Sequence, residues 1–201
     1  MGKTDTENPT NGPVLRGGCH CGNLTYTSTA LPSMLDICHC TTCRRISGAP
    51  FMTWATFPVS ALTFTSRNPS GTSIGDRNDK SALKMYTAKP WAERGHCTRC
   101  GSTVSFRFKL EGEEDSIYIS AGSISEDSIK GDLPKPAMHI FVGEKAGWWD
   151  LPEDGIERHE TFPEGAGYAE MIKSFMEEYE STEAKKRREA EEKRRQMREA
   201  E

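Results

Sequence analysis

Long hydrophobic runs are missing from this sequence. Its apolar stretches are short, as at Ile140-Phe141-Val142, far below the ~20 residues of a membrane-spanning helix. The opening segment, Met1 to Pro13, is polar and lacks the apolar core of a secretory signal. No glycine-rich phosphate loop follows a strand pattern, and no internal repeat is visible. A global positive field is absent too: the formal net charge is −4 and the isoelectric point about 5.8, which argues against nucleic acid as a partner. These absences point to a cytoplasmic, reducing setting. The 201 residues suffice for one ordinary domain with a real core, so disulfide stapling is not required.

Cysteine is what the sequence does have. The count is seven, an odd number that argues against a pure disulfide framework. Every one sits in a cluster: Cys19-His20-Cys21, then Cys38-His39-Cys40-Thr41-Thr42-Cys43, then Cys97-Thr98-Arg99-Cys100 followed by Gly101. In C-x-x-C followed by Gly, a tight turn lets two sulfurs converge on one ion. In C-x-C on an extended segment, residues i and i+2 point to the same side. Cys19 and Cys21 can then face one metal while His20 turns away, and the same geometry turns His39 away from Cys38 and Cys40. Structural zinc takes four ligands, whereas catalytic zinc takes three plus an open position. Seven thiols partition as four plus three. Spacing alone does not decide which clusters pair. The preferred partition gives the C-x-C-x-x-C run an open site and joins the other two pairs in a closed one. Two closed sites remain an alternative, with His39, His96, His139 or His159 as an eighth ligand. A redox role for Cys97 and Cys100 is disfavoured, because no βαβ unit is evident around them.

Residues 14–165 read as short strands and turns. Asn23–Thr27, Phe51–Phe57, Leu62–Thr65, Thr103–Phe108 and Ser116–Ser120 are rich in strand formers, and most alternate polar with apolar. Turn residues separate them, as at Pro69-Ser70-Gly71 and Gly131-Asp132-Leu133-Pro134. The expected class is mainly β, a sandwich-like arrangement of compact sheets. Residues 1–13 read as a disordered leader whose start matches a myristoylation pattern at Gly2, a match that short patterns produce by chance. Residues 166–201 read as a helix. Met171, Ile172, Phe175, Met176 and Tyr179 form one apolar face, and beyond residue 180 the helix becomes charged and solvent-exposed. Residues 183–201 hold eight Lys/Arg and six Glu, a local +2 that leaves −6 to the rest. Pairs such as Glu183–Arg187, Glu189–Lys193 and Glu191–Arg195 support a single solvated helix, and the apolar positions of a coiled coil are absent. The sequence names no protein partner for this tail.

Gly17-Gly18-Cys19-His20-Cys21-Gly22, Cys38 to Arg44 with Gly48-Ala49-Pro50-Phe51, and Cys97-Thr98-Arg99-Cys100-Gly101-Ser102 together resemble the glutathione-dependent formaldehyde-activating enzyme and centromere protein V family. Ala121-Gly122-Ser123, Pro136–Phe141, Trp148-Trp149 and Asp154-Gly155 resemble its downstream signature, so the likeness runs from about Val14 to Pro163. The resemblance implies the family's β-rich zinc-binding fold, which is similar to that of a Rab-associated exchange chaperone and of the methionine-R-sulfoxide reductases. It implies two zincs per chain, a structural one on Cys19, Cys21, Cys97 and Cys100, and a catalytic-type one on Cys38, Cys40 and Cys43. It also implies carbon–sulfur lyase or synthase chemistry on a thiol adduct, with glutathione or a related small thiol as partner. His96 departs from the phenylalanine common before the C-x-x-C. Sulfoxide reduction needs a nucleophilic cysteine outside the zinc sites, and none is spare. Microtubule bundling needs a long basic region that the leader lacks.

Around the open site, Arg44, Arg45 and Arg99 are candidate clamps for substrate carboxylates. Trp54, Trp148 and Trp149 are candidate pocket walls, and Thr41, Thr42 and Ser47 candidate hydrogen-bond donors to the ligating sulfurs. His39 and His139 are the candidate general bases. The alternative in a different class is a non-catalytic, zinc-stabilised protein-interaction module.

Overall fold

The computed structural model describes residues 12–67 and 80–199. The leader up to residue 11, with its Gly2 pattern, and the Pro69-Ser70-Gly71 turn lie outside the described residues. Eleven strands and two α-helices follow in order: β1 (Leu15–Gly18), β2 (Leu24–Ser28), β3 (Met34–Cys38), α1 (Thr41–Ser47), β4 (Met52–Pro58), β5 (Leu62–Ser66), β6 (Leu83–Lys89), β7 (Ala92–Cys97), β8 (Thr103–Phe108), β9 (Ser116–Ser120), β10 (Pro136–Ile140), β11 (Glu157–Arg158) and α2 (Tyr168–Glu199). The class is mainly β with a C-terminal helix, as expected.

Two sheets form. A small antiparallel sheet has the order β1-β2-β5, and a large one the order β11-β10-β3-β4-β9-β8-β7-β6. Alternation places Leu15 of β1, Leu24 and Tyr26 of β2 and Phe64 of β5 inward. They pack on Leu35, Ala55, Phe57, Ile117 and Ile119 from one face of the large sheet. That is the sandwich half of the molecule. The opposite face of the same strands carries Cys38, Met52, Trp54 and Tyr118, packed against Phe162, Tyr168, Met171, Ile172 and Phe175. Central strands buried on both faces lose the clean polar alternation of a half-exposed strand, as in Ile117-Tyr118-Ile119 of β9. A bulge in β8, between its Ser105 and Thr103 pairings, lets Val104 join the first core while Phe106 and Phe108 join the second.

The large sheet is antiparallel except where β10 runs parallel to both β3 and β11. This brings the ends of β3 and β10 together, with Cys38 opposite Ile140. The first turns of α2 dock through its apolar face. From residue 180 onward the described side chains other than Glu183 are exposed, and no described helix is long and apolar enough to cross a membrane.

Close approach at Gly17 joins the two sheets' surroundings. A Cβ there would lie 2.2 Å from the Tyr26 hydroxyl oxygen and 2.5 Å from the Ser123 carbonyl, and Tyr26 is itself buried and hydrogen-bonded to Ser123. Gly17→Ala is therefore expected to destabilise the fold by about 1–3 kcal/mol through overpacking. A fall in Tm in the zinc-loaded protein would register this; an unchanged Tm would refute the packing assignment.

Candidate metal centres

The four-thiol cluster is built from two turns. Cys19 and Cys21 sit between β1 and β2, Cys97 ends β7, and Cys100 lies in the turn to β8. Gly22 and Gly101 close these turns at φ 68° and 75°, a conformation glycine adopts without steric cost. Their N–H groups donate to the carbonyls of Cys19 and Cys97, respectively. Further amides point at sulfur: Leu24 N–H donates to Cys19 Sγ at 3.2 Å and Arg99 N–H to Cys97 Sγ at 3.4 Å. Cys100 Sγ lies 3.2 Å from the Ser102 hydroxyl. The four Sγ atoms all lie within 4.8 Å of one another. Burial pushes the Cys19 thiol up to about 12, because a thiolate there has no counter-charge. A convergent, amide-supported set of four sulfurs suits a soft divalent cation such as zinc. His96 and His20 stand outside it, and Arg99 is exposed.

The three-thiol cluster lies where β3 meets α1. Cys38 ends β3, Cys40 caps α1 and accepts the Cys43 N–H at 3.3 Å, and Cys43 lies within α1. The Trp54 indole N–H donates to Cys43 Sγ at 3.5 Å. These three Sγ atoms also lie within 4.8 Å of one another, and no histidine or carboxylate completes the set among the described residues. Hydrogen bonding to the other two sulfurs, then burial, holds the Cys38 thiol well above its usual range. Cys40, which accepts those hydrogen bonds, is held down. This donor set also fits zinc, with one position left to another ligand.

All three cysteines line a cavity of about 780 Å³. Of the expected site residues, Thr41, Thr42, Arg45 and Trp54 line it as well. Others go elsewhere. Arg44 turns its guanidinium toward the Thr41 hydroxyl at 3.4 Å and does not line the cavity. Ser47 bonds to backbone at Arg44, Ala49 and Phe51, closing the end of α1 and not touching sulfur. Trp148, expected at the pocket wall, is 74% exposed. It is Trp149 that packs inward, 5.8 Å from the Phe51 ring.

His39 and His139 meet each other away from the cavity lining. His39 Nε2 lies 2.9 Å from His139 Nδ1, and His139 Nε2 lies 3.0 Å from Asp154 Oδ2. Burial holds His39 below the usual histidine range. The two rings share one hydrogen bond, and His139 is joined in turn to the Asp154 carboxylate. This chain fastens the Cys38-His39-Cys40 segment to β10. It does not reach the cavity, and so does not supply the expected general base.

Asp36 and Arg94 are among the cavity residues that escaped the sequence reading. Asp36 is 6% exposed and sits two residues before Cys38, on the same face of β3. Burial raises its carboxyl to about 7. Its i, i+2 relation to Cys38 was the signal available. Arg94 of β7 is 6% exposed and lies over the Phe106 ring at 4.8 Å; nothing local in Glu93-Arg94-Gly95 announces that.

Two outcomes follow. Metal binding is coupled to folding at a closed site, so Cys97→Ser is expected to unfold the chain while Cys43→Ser keeps native circular dichroism. Equal loss in both would contradict the division. A carboxyl raised from 3.8 to about 7 on folding binds protons more readily in the native state. Its burial thus lowers stability progressively as pH rises from about 4 to 7, and the loss persists above that. Urea unfolding at pH 5.5 and 8 should show Asp36→Asn gaining on the native sequence at the higher pH; a constant difference would refute the assignment.

Residues 14–144 match the family described as glutathione-dependent formaldehyde-activating enzyme. An uncharacterized lyase of Schizosaccharomyces pombe is 26% identical over 96 residues, covering 48% of this chain and 59% of that protein. The chain thus spans about three-fifths of the length of the curated relative it matches. A crystal structure of a Rhodobacter sphaeroides protein aligns at 19% identity with a TM-score of 0.41, over 59% of this chain and 97% of that one. With the family match spanning well over half its length and both cysteine clusters, the chain belongs to the glutathione-dependent formaldehyde-activating enzyme family.

Proposed function

We propose that this chain is a zinc-dependent carbon–sulfur lyase or synthase acting on a thiol adduct, of the S-hydroxymethylglutathione kind or a related small thioether. One observation carries the reading: the cluster of Cys38, Cys40 and Cys43 lacks a fourth protein ligand among the described residues and lines a large cavity. The four-thiol cluster, by contrast, has a complete set of ligands. Family membership and a distant relative named as a lyase support the same class. Seven free thiols suit a reducing, cytoplasmic setting.

Zinc held by Cys38, Cys40 and Cys43 would supply Lewis acidity and deprotonate a coordinating thiol. The chain's own residues do the rest. The Trp54 indole N–H and the Cys43 amide hydrogen-bond to the cluster's sulfurs, moderating their charge and fixing their positions. Aromatic side chains of the second core form part of the cavity wall. Asp36 holds or releases a proton at its carboxyl oxygen near neutral pH. In the synthetic direction the substrate sulfur attacks an aldehyde carbon, a C–S bond forms, and the carbonyl oxygen takes a proton. In the lytic direction the adduct hydroxyl loses that proton as the C–S bond breaks. Arg45, on the cavity wall, offers a cation to the thiol's acidic groups.

The interaction-module alternative draws on the exposed, charged end of α2, and ligand binding separates the two. Elemental analysis is expected to find about two zincs per chain. NMR titration with thiol–aldehyde adducts, with and without glutathione, is expected to shift resonances of Thr41, Thr42 and the Trp54 indole. A folded, metal-free protein, or one whose cavity resonances ignore every thiol and adduct, would overturn the reading.

A further inference from the structure

The cavity holds a charge that the chain does not answer. Arg94 is nine-tenths buried and lines the same space as the three cysteines. Yet its Nε and Nη1 have no hydrogen-bond partner, and it enters no ion pair, among the described residues. Its guanidinium lies over the Phe106 ring, 4.8 Å from the centroid. Burying a cation without directed partners is costly, so something must take its hydrogens.

The nearby glutamates are committed elsewhere. Glu113 accepts hydrogen bonds from the Tyr118 and Tyr168 hydroxyls at 2.8 and 2.9 Å, and Glu144 accepts the Thr41 N–H at 2.8 Å. The cysteine cluster gives Arg94 a favourable field, felt at Cys40. A field does not saturate two N–H donors. A carboxylate does, since the planar guanidinium matches its paired oxygens. The remaining wall restricts what the carboxylate is attached to. Trp91 stacks on Phe108 at 5.9 Å, Phe108 meets Tyr168 at 5.0 Å, and Tyr168 stacks on Phe162 at 4.8 Å. All four line the cavity. Such a continuous aromatic surface favours an apolar body over a peptide-like polar one.

We propose that Arg94 anchors an anionic group of the substrate, and that the cavity takes a thiol with an apolar body and a carboxylate. The proposal rests on the open three-cysteine site argued above: the sulfur is directed to that site and the carboxylate to Arg94.

The test uses the full, zinc-loaded chain in calorimetric titrations with three probes: 2-benzyl-3-mercaptopropanoate, its primary amide, and glutathione. The acid is expected to bind about tenfold or more tightly than the amide, the scale of one charged hydrogen bond in a dry site, and more tightly than glutathione. Arg94→Met should abolish the preference for acid over amide while leaving amide binding in place, and Arg94→Lys should restore part of it. Acid and amide binding equally to the unsubstituted chain would overturn the anchor while leaving the open site standing. This arm does not depend on whether the Met variant folds. Glutathione binding more tightly than the aromatic acid would overturn the apolar-body assignment. If none of the three binds, the open-site reading falls and this proposal falls with it.

Discussion

Everything in this molecule hangs on the convergence of four sulfurs from two distant turns. Cys19 and Cys21 leave the small sheet, and Cys97 and Cys100 leave the β7–β8 hairpin of the large one, 76 residues further on. Joined through a cation, they would fasten the two sheets at one end. Burial pushes the Cys19 thiol up to about 12, a cost that a bound cation would offset; the His20 N–H also donates to the Ser102 hydroxyl at 3.2 Å and ties the same two turns. Metal coordination would offset the cost of closing so long a loop. One face of the large sheet is thereby committed to the sandwich core, and the other is left to build a cavity.

The second site depends on the first through strand parity. In β3, Leu35 points into the sandwich while Asp36 and Cys38 point to the cavity. β4 repeats the pattern, with Ala55 and Phe57 on one side and Met52 and Trp54 on the other. A slip of one residue would exchange the two faces and turn Cys38 away from Cys43. The buried chain from Asp154 through His139 to His39 guards against that slip, because His39 locks onto β10 from the side opposite the sulfurs. These two histidines, which looked like acid–base candidates, hold the register of the metal-binding segment.

Legibility in the sequence followed the physics. Strands β2, β5 and β9 carry alternation or dense β-branched and aromatic content, and they stand out in the sequence. β3 and β7 do not, since Met34-Leu35-Asp36-Ile37-Cys38 and Ala92-Glu93-Arg94-Gly95-His96-Cys97 mix charged and cysteine residues into their strand patterns. The parallel pairing of β3 with β10 depends on tertiary context and left no local trace. Each short cysteine cluster was legible because ligand spacing is a local property, whereas the joining of Cys19 and Cys21 with Cys97 and Cys100 is a tertiary fact that the count of seven only favoured. The cavity was not. Arg94 is brought to it by cross-strand register with Phe106, and of the three tryptophans expected at its wall only Trp54 lines it, Trp148 being exposed and Trp149 packing beside Phe51.

The central claim is that one metal site is closed and the other open. X-ray absorption at the zinc edge of the full chain, with and without a saturating small thiol, tests it most directly. The account predicts that seven sulfurs from the chain are shared by two zincs, with one lighter ligand that the added thiol replaces by sulfur. A spectrum that already shows complete protein coordination at both zincs, and does not change with thiol, would contradict it.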